Sequence, residues 1–342
     1  MKNVKVPFFN YQALFRADEP ALTAIFKDVC ERGAYIAQRE LSDFEEALAR
    51  FCGVRFAVGV ADGTDAIIIA LKAAGIGPGD EVIVASHTMV ATAAAVAFVG
   101  ATPVLVDCGR DHMMDISSAR AAITTRTKAL LPTQLNGRCC NMEALGALAS
   151  EHGLIILEDA AQALGAKFKG RDAGTFGVAG TISFYPAKTL GCFGDGGAIF
   201  CNDESVHRTI KLLRDHGRDE RGEVVCWGLN SRLDNLQAAI LLHKLKSYPQ
   251  AIQRRREIAA MYQRLLGDLE QVQLPPGPDS DERYFDIYQN YEIEAEQRDQ
   301  LRTFLSENGI GTLVQWGGKA VHQWSGLGFK ISLPYTERMF QR

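Results

Sequence analysis

Several absences bound what this chain does. It has no run of eighteen apolar residues, so no stretch suits a membrane span. No leading apolar segment of the secretory kind is present, and the expectation is a cytoplasmic protein. Basic charge is not in excess: the formal net charge is -4 over 342 residues, so no nucleic-acid partner is expected. Zinc-type cysteine spacing is missing as well. The 8 cysteines are scattered, and the adjacent pair Cys139 and Cys140 suits neither a zinc pair nor an ordinary disulfide. No metal site is expected. Cys52, Cys201 and Cys226 fall in apolar stretches, where free buried thiols are the usual state. There is no P-loop and no Gly-x-Ser-x-Gly elbow. GIGPGDEVIV, residues 75–84, is not a dinucleotide fingerprint, because its glycines close a helix and precede a strand.

What is present is a rhythm. Short apolar runs at residues 56–60, 81–85, 102–106, 129–134 and 154–157 alternate with helical patterns at 64–74, 90–99, 116–123 and 142–152. That alternation predicts a mostly parallel sheet covered by helices. Unbroken runs such as LIIL fit strands buried on both faces. An irregular arm with Phe8 and Phe9 is expected over residues 1–13, then helices at 18–32 and 41–51. Two further apolar runs, 181–185 and 198–201, flank a glycine-rich turn. Beyond them the pattern predicts helices at 204–216, 233–245 and 252–266, with Pro249 breaking or kinking the last pair. A loop at 273–282, a strand at 288–293, a helix at 298–308 and a strand at 311–315 complete the reading. Residues 1–245 form the expected large domain and 246–342 a smaller α/β domain.

In open α/β sheets, ligands sit beyond the carboxyl ends of the strands. Lys188 stands on the turn after residues 181–185. Burial of an ammonium there lowers its pKa and makes it a nucleophile toward carbonyls; an ordinary surface lysine is the plain alternative. Asp159 follows residues 154–157, with Gln162 three positions on. A carboxylate there can ligate magnesium, cap a helix, or pair with a protonated ring nitrogen. In ADGTDA, Gly63 allows close approach and Thr64 opens a helix whose N–H groups suit a phosphate; a helix turn capped by Asp62 or Thr64 is the plain alternative. Ser183 adds a hydroxyl. An amine, a carboxylate and a phosphate seat together match pyridoxal 5'-phosphate (PLP), which requires a Schiff-base lysine and a partner for its ring nitrogen.

Six ordered blocks carry a resemblance: RGAYIAQRELSDFEEALARF, VADGTDAIIIAL, GIGPGDEVIVASHTMVATAAAV, EDAAQALGA, SFYPAKTLGCFGDGGAIF and GLNSRLDNLQAAIL. With them the chain, from about Phe8 to at least Gly311, resembles the DegT/DnrJ/EryC1/StrS family of nucleotide-sugar aminotransferases. The resemblance implies a fold-type I (aspartate aminotransferase-like) architecture, with a mostly parallel seven-stranded sheet and a smaller C-terminal α/β domain. It implies that Lys188 carries the cofactor and moves the proton, that Asp159 pairs with the pyridine nitrogen, and that Gln162 touches the ring hydroxyl. Gly63, Thr64 and Ser183 would hold the phosphate. Asn230 would reach the phosphate of a neighbouring subunit in a homodimer, with Arg232 contacting substrate across that interface. The substrates implied are a nucleotide-linked keto sugar and glutamate, with C3 favoured over C4.

Three departures stand out. Met89 occupies the place of an aromatic residue that stacks on the cofactor, so packing comes from its thioether or from His87. VQWGGKAVHQ replaces a common His-Tyr-Pro, making Gln315, Trp316, Lys319 and His322 candidates for a sugar pocket; packing is the alternative for Trp316. The chain ends at SLPYTERMFQR where relatives continue, so an incomplete small domain is expected. Two other readings stay open. A sugar dehydratase of the same family would have histidine in place of Lys188. A non-catalytic regulator would keep only the fold.

Overall fold

The computed structural model describes residues 5–342. One sheet contains seven strands: β1 Phe56–Val60, β2 Glu81–Ala85, β3 Thr102–Val106, β4 Thr127–Leu131, β5 Ile155–Asp159, β6 Ala179–Ser183 and β7 Gly197–Cys201. Their spatial order is β1-β7-β6-β5-β4-β2-β3. Strand β7 alone is reversed, pairing antiparallel with both β1 and β6. The remaining neighbours pair parallel.

Side chains of a strand alternate between faces. Ile83 and Ala85 accordingly enter one apolar cluster, and Val82 and Val84 the other. Phe44, Leu145 and Leu241 bring helices Arg39–Cys52, Met142–His152 and Asn235–Leu245 onto the first face. Ile69, Val96 and Ile210 bring Gly63–Ala73, Val90–Phe98 and Glu204–Arg214 onto the second. Both faces are dry, which accounts for apolar runs without alternation. Because β1, β5 and β6 point the same way, residues 62–64, 159–162 and 183–188 meet at one sheet edge.

The expected elements hold closely up to β7 and less well beyond it. The arm turns helical earlier than expected, at Tyr11–Arg16, with Asn10 accepting the Ala13 N–H at 3.1 Å. Met1 to Val4 lie outside the described residues. The expected break is present, one helix ending at Leu245 and the next starting at Tyr248, and Pro249 opens the second. It sits in the first turn of Tyr248–Leu266, where its missing N–H costs nothing. Residues 288–293 form no strand, because Tyr288 is left-handed (φ 52°) and interrupts any ladder. Pairing resumes only at Glu294–Ala295, against Val272–Gln273. Residues 311–315 are not a strand either; they run past the N-terminal arm with a single bridge, Val6 to Ile310. Cys52 and Cys201 are buried as expected, but Cys226 is exposed on an open loop. Among the described residues no helix is long and apolar enough to cross a membrane.

Candidate active site

A cavity of about 790 Å³ opens at that sheet edge. Gly63, Thr64, Met89, Asp159, Gln162, Ser183, Lys188, Gln315 and Trp316 all line it. Five candidates do not. His322 is buried beneath β2, with Nδ1 2.7 Å from Ser86 Oγ and Nε2 3.3 Å from Glu337. It braces the fold and is withdrawn from the sugar pocket. Lys319 instead lies over the Trp324 ring, 5.0 Å from its centre. Asn230 is exposed on a loop away from the cavity, and Arg232 pairs with Asp215 at 3.0 Å. His87 is buried edge-on to Trp316 at 4.9 Å, so Met89 is the residue that meets the cavity.

Lys188 is held by a turn and a clamp. Its N–H donates to Tyr185 O at 2.8 Å. The flanking peptides are both gripped by Gln289: its Nε2 donates to Ala187 O at 2.8 Å, and its Oε1 accepts from Thr189 N at 2.7 Å. Burial lowers the pKa of the Lys188 ammonium, while the charge of Asp159 opposes that shift. A lysine so placed is more readily deprotonated and hence nucleophilic.

Asp159 ends β5 and is almost fully buried. Its Oδ2 accepts from Thr92 Oγ1 at 2.7 Å and its Oδ1 from Ala161 N at 3.1 Å. No helix follows it, so a helix cap is not its role. Gln162 Oε1 accepts the Asn136 N–H at 2.8 Å, which leaves its NH2 as the donor available to a ligand.

Near Thr64 the backbones approach closely. A Cβ on Gly63 would lie 2.8 Å from Ser183 Cβ, and one on Gly197 would lie 2.3 Å from Asp62 O. Only glycine lets these segments close into a cradle. Asp62 caps the helix, accepting from the N–H groups of Thr64 at 2.7 Å and Asp65 at 2.9 Å. The seat is therefore narrower than a bare helix end, and the hydroxyls of Thr64 and Ser183 become its main side-chain donors.

The sequence matches the profile of the DegT/DnrJ/EryC1/StrS aminotransferase family over residues 17–341. The chain belongs to that family. It is an aminotransferase of fold-type I, and PLP is its cofactor. The site fits that group: a buried amine of lowered pKa, a carboxylate locked in place, and a cradle that a Cβ would fill. Among DegT/DnrJ/EryC1/StrS relatives, "UDP-2-acetamido-2-deoxy-3-oxo-D-glucuronate aminotransferase" of Pseudomonas aeruginosa is 41% identical, covering 84% of this chain and 79% of its own. A Geobacillus stearothermophilus protein named "Pleiotropic regulatory protein" is 38% identical over 98% of this chain and 91% of its own. The solved structure of S. venezuelae DesV, in complex with a ketimine intermediate, superposes with a TM-score of 0.93 at 39% identity, covering 98% of this chain and 91% of DesV.

The residues missed from sequence are the supporting ones: Thr92, Asn136 and Gln289. Each is an ordinary polar residue far along the chain from the group it holds. Thr92 alone carried a signal, lying in the same block as Met89.

Proposed function

We propose that this enzyme moves an amino group from glutamate to C3 of a nucleotide-linked keto sugar. The observation that carries the reading is the placement of Lys188 and Asp159 on one cavity roomy enough for cofactor and sugar. The 3-oxo sugar named for the Pseudomonas relative supports the position on the ring. Glutamate and the homodimer are assigned from the family resemblance.

When bound, PLP supplies an electron sink that acidifies the C–H bond beside the transferred nitrogen. Lys188, whose ammonium is made easier to deprotonate by burial, takes and returns that proton. Asp159 would hold positive charge at the ring nitrogen. The Gln162 NH2 would donate to the ring oxygen, Met89 would pack against the ring, and Thr64 and Ser183 would donate to the phosphate. Asn230 and Arg232 lie off this chain's own cavity and serve the second subunit of a homodimer. Gln315 and Trp316 border the sugar.

The test is a screen of keto-sugar nucleotides for glutamate-dependent amine transfer, with Lys188→Ala as control. Amination at C3, abolished in Lys188→Ala, is expected; amination at C4 corrects the position. The regulatory name of the Geobacillus relative favours a second reading, a sensor that binds cofactor without turnover. Cofactor absorbance that glutamate leaves unchanged would support the sensor instead.

A further inference from the structure

A carboxylate outside the reaction chemistry sits in the wall behind the sugar end of the cavity. Glu292 Oε2 accepts from His112 Nδ1 at 2.9 Å and from Asn136 Nδ2 at 2.5 Å, and its Oε1 accepts from Gln315 Nε2 at 3.0 Å. Burial disfavours its charge. The hydrogen bond from His112 and the imidazole of His87, 3.7 Å away, outweigh that and hold the carboxyl below its ordinary range.

An ionised carboxylate only accepts hydrogen bonds. Amides that meet it must turn their NH2 groups toward it, which fixes orientations that are otherwise ambiguous. Gln315 directs its NH2 to Glu292 and to Asn136 Oδ1, at 2.9 Å. Asn290 directs its NH2 to the same Asn136 oxygen at 3.0 Å. Both residues border the cavity, and each is left with its carbonyl oxygen to offer. Asn136 in turn gives its backbone N–H to Gln162, so the chain of orientation reaches the cofactor's side of the site.

We propose that Glu292 is a positioning residue that turns the Gln315–Asn290 wall into a hydrogen-bond acceptor, so that the enzyme selects sugars presenting a hydroxyl or amide N–H there and rejects a carboxylate. This rests on the nucleotide-sugar reading above. A hydroxyl completes the two carbonyls. A carboxylate would face two carbonyl acceptors with the Glu292 carboxylate behind them, and its lost hydration would go unreplaced.

The test uses holoenzyme of wild type, Glu292→Gln and Gln315→Ala. Wild type is expected to lose about tenfold in kcat/KM on one monodeoxy sugar analogue, the value of one hydrogen bond. In both variants that penalty shrinks toward one, through KM more than kcat, and the matching uronate becomes relatively better. Independently of any sugar, Glu292→Gln shifts the pH dependence of cofactor absorbance through Asn136 and Gln162, whereas Gln315→Ala keeps the wild-type titration. An unchanged deoxy penalty in both variants overturns the proposal. If wild type aminates no keto sugar, the sugar reading fails and the titration decides for Glu292: an unshifted profile in Glu292→Gln overturns the positioning role. Should Glu292→Gln fold poorly, Gln315→Ala decides selectivity, since its partly exposed site tolerates truncation.

Discussion

Thr92 Oγ1 donates a 2.7 Å hydrogen bond to Asp159 Oδ2. That bond uses the one proton of the hydroxyl, so Thr92 can only accept from Thr88, 2.8 Å away. Thr88 must then accept from Thr133, at 2.9 Å. Three hydroxyls thus point one way, toward the carboxylate proposed above to face the cofactor nitrogen. Thr92→Val keeps the shape and removes the donor. A hydrogen bond to a charged group contributes about 1.5–3 kcal/mol, so kcat is expected to fall by about tenfold or more. Thr92→Ser should restore most of it. Equal kcat in wild type and Thr92→Val would sink this account.

Gln289 predicts a different phenotype. It grips Ala187 O and Thr189 N, the peptides on either side of Lys188, across 100 positions of sequence. Gln289→Leu removes the partner of both partly buried groups, at about 1 kcal/mol each. Thermal unfolding is expected several degrees lower, together with slower covalent capture of PLP by Lys188, read by borohydride trapping. Gln289→Glu restores the acceptor but sets a carboxylate against Ala187 O, so it should rescue only in part. A Gln289→Leu protein that captures PLP as fast as wild type would remove the clamp from the mechanism.

These two residues show where the sequence was legible. The sheet could be read because strands buried on both faces must be apolar throughout, and Lys188, Asp159 and Thr64 could be read because ligands collect at strand ends. Thr92, Asn136, Gln289 and Glu292 act through contacts distant in sequence, and three of them sit on irregular backbone where no period marks a face. The alternation in residues 288–293 predicts a strand, yet the chain bends at left-handed Tyr288 and forms no ladder there, which no residue pattern announces. His322 shows the converse limit. A polar residue on a single 3-10 turn can brace Ser86 as readily as it can face a cavity.

The shared-site arrangement is checked by complementation. Asn230 is exposed and lies off its own cavity, so in a homodimer its loss should affect the other subunit's site. Lys188→Ala and Asn230→Asp, which places an anion near the phosphate, should each be nearly inactive alone. Mixed dimers pair one wholly wild-type site with one doubly damaged site. About half the activity of a wild-type dimer is expected from each heterodimer, measured after co-expression and separation by different tags. Heterodimers no more active than the parents would place Asn230 in its own subunit's chemistry.

His112 makes stability depend on pH with a definite sign. Burial works against its charge, but its bonds to Glu292 and Glu294 win and raise its pKa from the ordinary 6.5 to about 9. Below 6.5 the imidazole is protonated in folded and unfolded chains, and the stabilisation is fully present. Between 6.5 and about 9 the unfolded chain gives up the proton while the folded one keeps it, so stability falls with each step in pH. The contribution is roughly 3 kcal/mol, and it is gone above about 9. Glu294, whose pKa is lowered by the His112 hydrogen bond against burial, loses its own contribution at the acid end as it protonates. His112→Asn is the right variant, because asparagine tolerates the left-handed backbone at this position (φ 64°). Urea unfolding from pH 6 to 9.5 should show a declining wild-type stability and a flatter variant, the two converging at the alkaline end. Parallel curves over that range would mean that the imidazole titrates alike in the folded and unfolded chains and that the Glu292–His112–Glu294 cluster is held by something other than its charge.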